Sequence, residues 1–352
     1  MTVQLSEGQS RLVDQVIDKG LCVSCGACVG LCPYLDYFDG RIVVMDRCSA
    51  DTWRCLQVCP VARYHETSPG IIIPAAGLEG AIGSYKRVII ARATDDKIRN
   101  IAQYGGVVSA LLIHSLGNGY LRAAVLTDKG DEASPQGVLA RNSAEILECA
   151  GSRYSASGGL AAFNRAVKEG ESHLGVVGLP CQMESLERTA LMEPDGGQRI
   201  NSVILRIGLF CTWALEYRSL HTFLNGEKIN GHIKKFDIPP PPSEVFEIWD
   251  RDGRREFLLS DIRPMIQKGC YLCPDMTAEY ADISVGTVEG NEGWNTVIIR
   301  TDIGERIVED AIKDGHIESE MLARESLDHL KTAAFNKKER ARKAIEEGGS
   351  SS

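Results

Sequence analysis

Positive charge is in short supply in this chain. It carries 39 Lys and Arg against 48 Asp and Glu, a formal net charge of −9. That balance excludes a general affinity for nucleic acid. No basic amphipathic stretch suits a membrane surface, and nowhere do about 18 apolar residues run together, so no segment is expected to insert into a bilayer. The opening MTVQLSEGQSRLVDQVIDKG lacks the cationic start and apolar core of a secretory leader. Together these absences predict a cytoplasmic protein. Hydrolytic chemistry is missing as well: no Ser-His-Asp order or paired carboxylates stand out. Nor does any histidine read as a base, since His114 falls within an apolar helical stretch and His173 and His221 look like surface positions.

What the chain does have is cysteine, twelve of them in 352 residues. In a reducing compartment they are poor disulfide candidates, and metal ligation becomes the leading explanation. Seven lie between Cys22 and Cys59. The rest of the composition, 43% hydrophobic and 25% charged, is that of a globular protein long enough for two or three domains.

Texture divides the chain into three parts. Residues 1–68 read as a helical lead-in followed by a cysteine-rich module with little room for an apolar core. After the connector SPGIIIPAAGLEGAIGS, residues 69–335 alternate strands with helices: RVIIARAT, GGVVSALLIHSLGNG, AAVLTD, SGGLAAFNRAVKEG, HLGVVGLP, SVILRIGLFC, ALEYRSLHTFLNG. Such alternation predicts an α/β core with a mainly parallel sheet. Between 231 and 262 the pattern changes, and Asp252-Gly253 between alternating runs predicts a β-hairpin insertion. Residues 336–352, NKKERARKAIEEGGSSS, are expected to be a charged, flexible, exposed tail.

The run Cys22-x2-Cys25-x2-Cys28-x3-Cys32-Pro33 has bacterial-ferredoxin spacing, in which the fourth cysteine serves the other cluster of a two-cluster, α+β fold. Its partner motif, CSADTWRCLQVCP, is imperfect. Cys22, Cys25, Cys28 and Cys59 are therefore assigned to one [4Fe–4S] cluster. Cys32, Cys48 and Cys55 remain for a second, with Asp51 standing where a cysteine is missing. Asp51 would complete it through oxygen, or the site would hold three irons or none. A zinc ribbon is the competing reading.

A second set lies outside the module. Cys181 in VVGLPCQ and Cys211 in IGLFCTW each follow an apolar strand, so a parallel sheet would bring both to its carboxyl edge, where ligands collect. With the Cys270-x2-Cys273 pair they make a four-sulfur set, suited to an iron–sulfur cluster or to structural zinc, unless the thiols are unrelated. Cys149 reads as a small buried hydrophobe.

Over residues 20–310 the chain resembles the beta-subunit family of coenzyme F420-reducing hydrogenase, formate dehydrogenase and F420H2 dehydrogenase. The resemblance rests on the ferredoxin module, GGVVSALL, GSRYSAS, VVGLPCQ, IGLFC and, above all, CYLCPDMTAEYADISVGTVEGNEGWNTVIIRTDIGE. It implies an FAD on the α/β core and a [4Fe–4S] cluster on Cys181, Cys211, Cys270 and Cys273, two to three clusters in all. It further implies hydride exchange with coenzyme F420, a deazaflavin, as substrate. The implied partners are other subunits of a hydrogenase, formate dehydrogenase, membrane dehydrogenase or heterodisulfide-reductase-like complex. Asp51 and the longer spacing after it depart from the family's second ferredoxin motif.

For the flavin pyrophosphate, main-chain N–H groups at the helix start Gly105, Gly106, Val107 and Ser109 are candidates, with Ser152, Arg153 and Tyr154; Trp294 and the GTVEG turn are candidate walls. Arg263 and Lys268 are candidates for the acidic tail of the deazaflavin, although each also reads as a solvated charge. The same family resembles reductases of chlorophyll derivatives fed by ferredoxin, a second reading with another substrate. A flavin-free electron-transfer or scaffold protein holding zinc is a third.

Overall fold

The computed structural model describes residues 7–50, 53–65, 77–128, 130, 135–192, 195–229, 233–239 and 243–349. Asp51 and the boundary expected between residues 68 and 69 lie outside them. In chain order the strands are Leu35–Phe38 (β1), Arg41–Val44 (β2), Arg87–Ala93 (β3), Ala123–Thr127 (β4), Gly137–Ala140 (β5), Leu174–Gly178 (β6) and Val203–Leu209 (β7). Lys235–Asp237 (β8), Val245–Trp249 (β9), Arg254–Leu258 (β10), Ile283–Thr287 (β11), Asn295–Ile299 (β12) and Ile317–Met321 (β13) follow. Eight of them form one sheet in the order β13-β3-β12-β11-β7-β6-β4-β5. The predicted parallel pairing holds for its middle, β11-β7-β6-β4. Antiparallel neighbours flank that middle on both sides, so the sheet is mixed. The reason is connection length: β11 returns as β12, and β4 as β5, without the crossover helix that parallel pairing demands.

Side-chain alternation shows both faces covered. In β4, Ala123 and Val125 join one apolar cluster while Ala124 and Leu126 join another. Helices Val107–Gly117 and Asp302–Lys313 pack on the second face. Helices Gly159–Lys168 and Pro180–Ala190 pack on the first. Strands β8, β9 and β10 make a separate three-stranded antiparallel sheet, whose Asp250 Oδ1 accepts from the N–H groups of Asp252 and Gly253 at its turn. Among the described residues no helix is long and apolar enough to cross a membrane.

Two features depart from the sequence reading. The cysteine-rich module does have an apolar core, because it shares one: Leu12, Val16, Val23, Val29, Leu35 and Leu56 belong to the same cluster as Phe163, Leu186 and Leu215. Further, the tail expected from residue 336 is the second half of a helix, Arg324–Gly349. It is neither free nor wholly exposed: Ala334, Lys337 and Ala341 are buried. Eight charges between residues 336 and 349 argue for solvation. What decides the outcome is the spacing of Ala334, Lys337 and Ala341, which places them on one helical stripe against the core.

Close approach and a buried amide are among the contacts that fix the module to the core. A Cβ on Gly26, where φ is +82°, would lie 2.5 Å from Gly158 O, so only glycine allows this contact. Asn164, 3% exposed, donates from Nδ2 to Ala27 O (2.7 Å) and Val29 O (2.8 Å) and accepts from Arg199 Nη2 (2.7 Å). Removing that side chain takes a donor from two carbonyls and an acceptor from the Arg199 guanidinium. Asn164→Ala should therefore lower the urea unfolding midpoint by the equivalent of roughly 1–3 kcal/mol at an unchanged m-value. An unmoved midpoint would show that the amide does not hold the loop.

Candidate functional site

The middle strands β11, β7, β6 and β4 end at one edge of the sheet, and the chemistry-bearing loops leave from it. After β6, Pro180 opens helix Pro180–Ala190 and Cys181 follows it; Gln182 Oε1 accepts from Leu179 N (2.8 Å) and caps the turn. After β7, Cys211 N donates to Met276 O (2.9 Å), which ties its loop to the segment beyond Cys273. Residues 214–216 then stitch three segments together. Leu215 N donates to Tyr154 O (2.8 Å), Glu216 N to Met265 O (2.8 Å) and Gln267 N to Ala214 O (3.0 Å). Ala214 N also points at Cys270 Sγ (3.4 Å), and Cys273 Sγ at Asp275 O (3.5 Å).

These contacts gather Cys181, Cys211, Cys270 and Cys273. Burial pushes the Cys270 thiol up to about 12, with repulsion from Cys211 and Cys273 set against the Ala214 N–H and Lys337. Cys181 is driven well above its ordinary range by burial first, then by Cys25, Cys273, Cys211 and Cys270. Burial also raises Cys211, with Lys337 acting against the rise and Cys273 and Asp275 adding to it.

Two further groups occupy the N-terminal module. Cys22 is pushed up to about 11 by burial and by Cys25, against an N–H from Ser24 (3.4 Å). Burial, then Cys25, Cys22, Cys59 and Cys55, raises Cys28, while Cys59 is raised by burial, Cys25 and Cys22. Cys55 is pushed up to about 11 by burial, with Cys32 and Cys48 as its thiol neighbours. Among the described residues, no set of three or more His, Cys, Asp or Glu side chains is arranged to hold one metal ion.

The groups also abut. Cys181 and Cys25 sense each other, and Ser185, fully buried one turn after Cys181, lies between them: its Oγ is 3.6 Å from Cys25 Sγ and donates to Cys181 O (2.9 Å). Cys28 and Cys55 connect the two N-terminal groups.

The two segments expected at the flavin meet, since Ser152 N donates to Gln103 Oε1 (3.4 Å). Tyr104 and Tyr154 both reach β8: the Tyr104 hydroxyl donates to Asp237 Oδ1 (2.8 Å), and the Tyr154 hydroxyl accepts from Ile238 N (3.2 Å). Gly105 and Gly106 are occupied with chain packing. A Cβ on Gly105 would meet Asn295 Oδ1 at 2.8 Å, and one on Gly106, where φ is +76°, would meet Ile98 at 2.9 Å. Val107 N faces Asn295 Oδ1 (3.4 Å), and Ser109 is buried. Arg153 is different. Its Nε and Nη1 donate to Asp128 O and Ser152 O, while its Nη2 is buried with no hydrogen-bond partner among the described residues. Trp294 carries the Arg92 guanidinium 4.5 Å over its ring. Arg263 and Lys268 are exposed, and the Lys268 side chain passes Gly20 at the module. His114 is buried, its Nε2 2.9 Å from Asp314 Oδ2. Sequence reasoning missed Ser185, Asn295 and Lys337. Lys337 sits in the run NKKERARK, where nothing sets it apart from its neighbours.

Comparison with known proteins gives a consistent picture. The family described as the C terminus of the coenzyme F420 hydrogenase/dehydrogenase beta chain matches residues 171–325, and its N-terminal counterpart matches residues 88–164. A 4Fe-4S binding domain matches residues 16–35. The beta chain of coenzyme F420 hydrogenase from Methanothermobacter thermautotrophicus is 33% identical over 269 residues, 75% of this chain and 95% of that one. A component of the F420H2 dehydrogenase of Methanosarcina mazei is 26% identical over 326 residues, 86% of this chain and 85% of the relative. Among solved structures, a chain of the F420-reducing nickel–iron hydrogenase complex from Methanosarcina barkeri superposes with a TM-score of 0.71 at 29% identity, over 76% of this chain and 93% of its own.

The raised thiols make a stability prediction for protein stripped of metal. With folded values near 11 and 12 against an ordinary value of 9.0, the unfolded chain releases its protons first as pH rises. Stability from these thiols is therefore intact below pH 9 and is lost as pH climbs from there toward 12. Urea midpoints of metal-free protein should fall across that window. A flat profile would mean the thiols are not buried as described.

Proposed function

Because the chain belongs to the beta-subunit family of coenzyme F420 hydrogenases and dehydrogenases, we propose that it is the F420-handling subunit of a larger oxidoreductase, holding FAD and [4Fe–4S] clusters and exchanging electrons with partner subunits. In such a protein the flavin supplies the conversion between hydride, carried as an electron pair, and the single electrons that iron–sulfur clusters accept. The observation that carries this reading is the succession of three thiol groups: the core four, then Cys22, Cys25, Cys28 and Cys59, approached through the Ser185 hydroxyl between Cys181 and Cys25, then Cys32, Cys48 and Cys55, of which Cys55 acts on Cys28.

The chain's own residues have definable tasks in this scheme. The core four and the first N-terminal four are the ligands of one cluster each. Cys32, Cys48 and Cys55, with Asp51 as the candidate fourth ligand, form the outlying site. Arg153 is the strongest candidate for a flavin phosphate, since its Nη2 is a buried donor without a hydrogen-bond partner among the described residues. Ser152 and Tyr154 flank it. Gly105 and Gly106 serve by letting helix Val107–Gly117 start hard against β3 and β12. Arg263 and Lys268, exposed beside the segment that pairs with 214–216, suit an acidic coenzyme tail.

The test is anaerobic mixing of purified protein with reduced F420, viologen as acceptor, together with iron, zinc and flavin counts. Oxidised coenzyme should appear as bound flavin bleaches, and dye reduction should follow. Cys273→Ala should lose about four irons per chain and halt dye reduction while the flavin still bleaches. Flavin that ignores F420 but accepts electrons from reduced ferredoxin would favour another substrate. Zinc in place of iron, without flavin, would sink the enzyme reading.

A further inference from the structure

Helix Arg324–Gly349 lies almost wholly beyond residue 325, where the family match ends. It nevertheless reaches the core thiols. Lys337 is 4% exposed, and its Nζ donates to Cys211 O (2.6 Å) and Asp275 O (2.7 Å). Three residues on, Arg340 Nη2 donates to Thr212 O (3.1 Å), and its guanidinium sits 5.6 Å over the Tyr271 ring. Lys338 pairs with Glu279. One face of the helix thus clamps both loops that bear Cys211, Cys270 and Cys273.

The Lys337 contacts are unusual because both hydrogen-bond partners are neutral carbonyls. Asp275 is near, but its two carboxylate oxygens accept from Thr277 N (2.9 Å) and Glu279 N (2.8 Å). A buried ammonium without a bonded carboxylate needs negative charge from elsewhere. Against its burial, that charge comes from Cys273, Cys211 and Cys270, with Asp275 adding to it. Four thiolates outweigh the positive charge of an iron–sulfur cube, and every electron added increases the excess. A fixed cation at that position favours the reduced state more than the oxidised one.

We propose that Lys337 is the resident counter-charge of the core cysteine site: its two carbonyl contacts hold the Cys211 and Cys273 loops in register, and its charge raises the reduction potential of the cluster bound there. Lys337 is a positioning residue, acting through the thiols and their backbone. The inference rests on the reading of the core four as a cluster site, and the experiment separates the two.

The experiment is an EPR-monitored redox titration of the intact, cluster-loaded protein, wild type beside Lys337→Gln and Lys337→Arg. The core signal is the one absent from Cys273→Ala. Lys337→Gln keeps a donor and loses the charge. It should lower the core potential so that the reduced-to-oxidised ratio at fixed poise falls about tenfold, which is about 59 mV for one electron. Lys337→Arg should stay near wild type, and signals from the N-terminal sites should not move. Loss of core iron in Lys337→Gln but not in Lys337→Arg supports the same conclusion, since charge is what separates the variants. An unchanged core potential in fully loaded Lys337→Gln overturns the proposal, as does loss of core iron in both variants, which would make the lysine a packing peg. Wild-type protein whose iron and sulfide counts omit the core site overturns the reading beneath.

Discussion

The seating of the cysteine-rich module on helix Gly159–Lys168 is the contact on which the rest of the arrangement depends. A cysteine-rich module of this size is marginal in the apolar surface it can bury alone. Here it shares one continuous apolar cluster with the sheet's first face. The seam is close because glycine allows it: Gly26 lies against Gly158 and Ala161, and a Cβ on Gly269 would strike Leu21 O at 2.0 Å. That closeness brings Cys25 against Ser185 and Cys181. Without it the thiol groups would be separate sites on separate domains.

The second constraint is charge. Thiols raised by burial are costly to ionise, and the chain packs many of them into a small volume. Its compensation is sparse and specific. Backbone N–H groups of Ser24, Ala50 and Ala214 point at sulfur, and Lys337 stands against the core group. The remainder must come from what the thiols bind. Neighbouring thiols add to the cost of ionisation, as Cys25, Cys22, Cys59 and Cys55 do at Cys28.

Much of this is legible in the sequence. Cys-x2-Cys-x2-Cys-x3-Cys-Pro carries its own geometry, and Cys181 and Cys211 after apolar strands imply a shared sheet edge. The parallel centre of the sheet follows from alternation. Its antiparallel flanks do not: β5 and β13 are short, and GVLA and IESEM carry no clear period. The glycines before helix Val107–Gly117 suggest a phosphate cradle, and the structure adds a packing demand at the same place, against Asn295 and Ile98, that the local sequence does not show. The C-terminal helix is hidden for a related reason. Charge run and buried stripe coexist there, and composition shows only the first.

That helix has a consequence for how the protein is made. Lys337 follows Cys273 by 64 residues, so all four core thiols are translated before the lysine, by about 3–13 s at ordinary synthesis rates. During that interval the site is complete in sulfur but open on the side the helix will cover. Until then the loops that bear Cys211 and Cys273 lack the Lys337 contacts to Cys211 O and Asp275 O that tie them together in the folded protein.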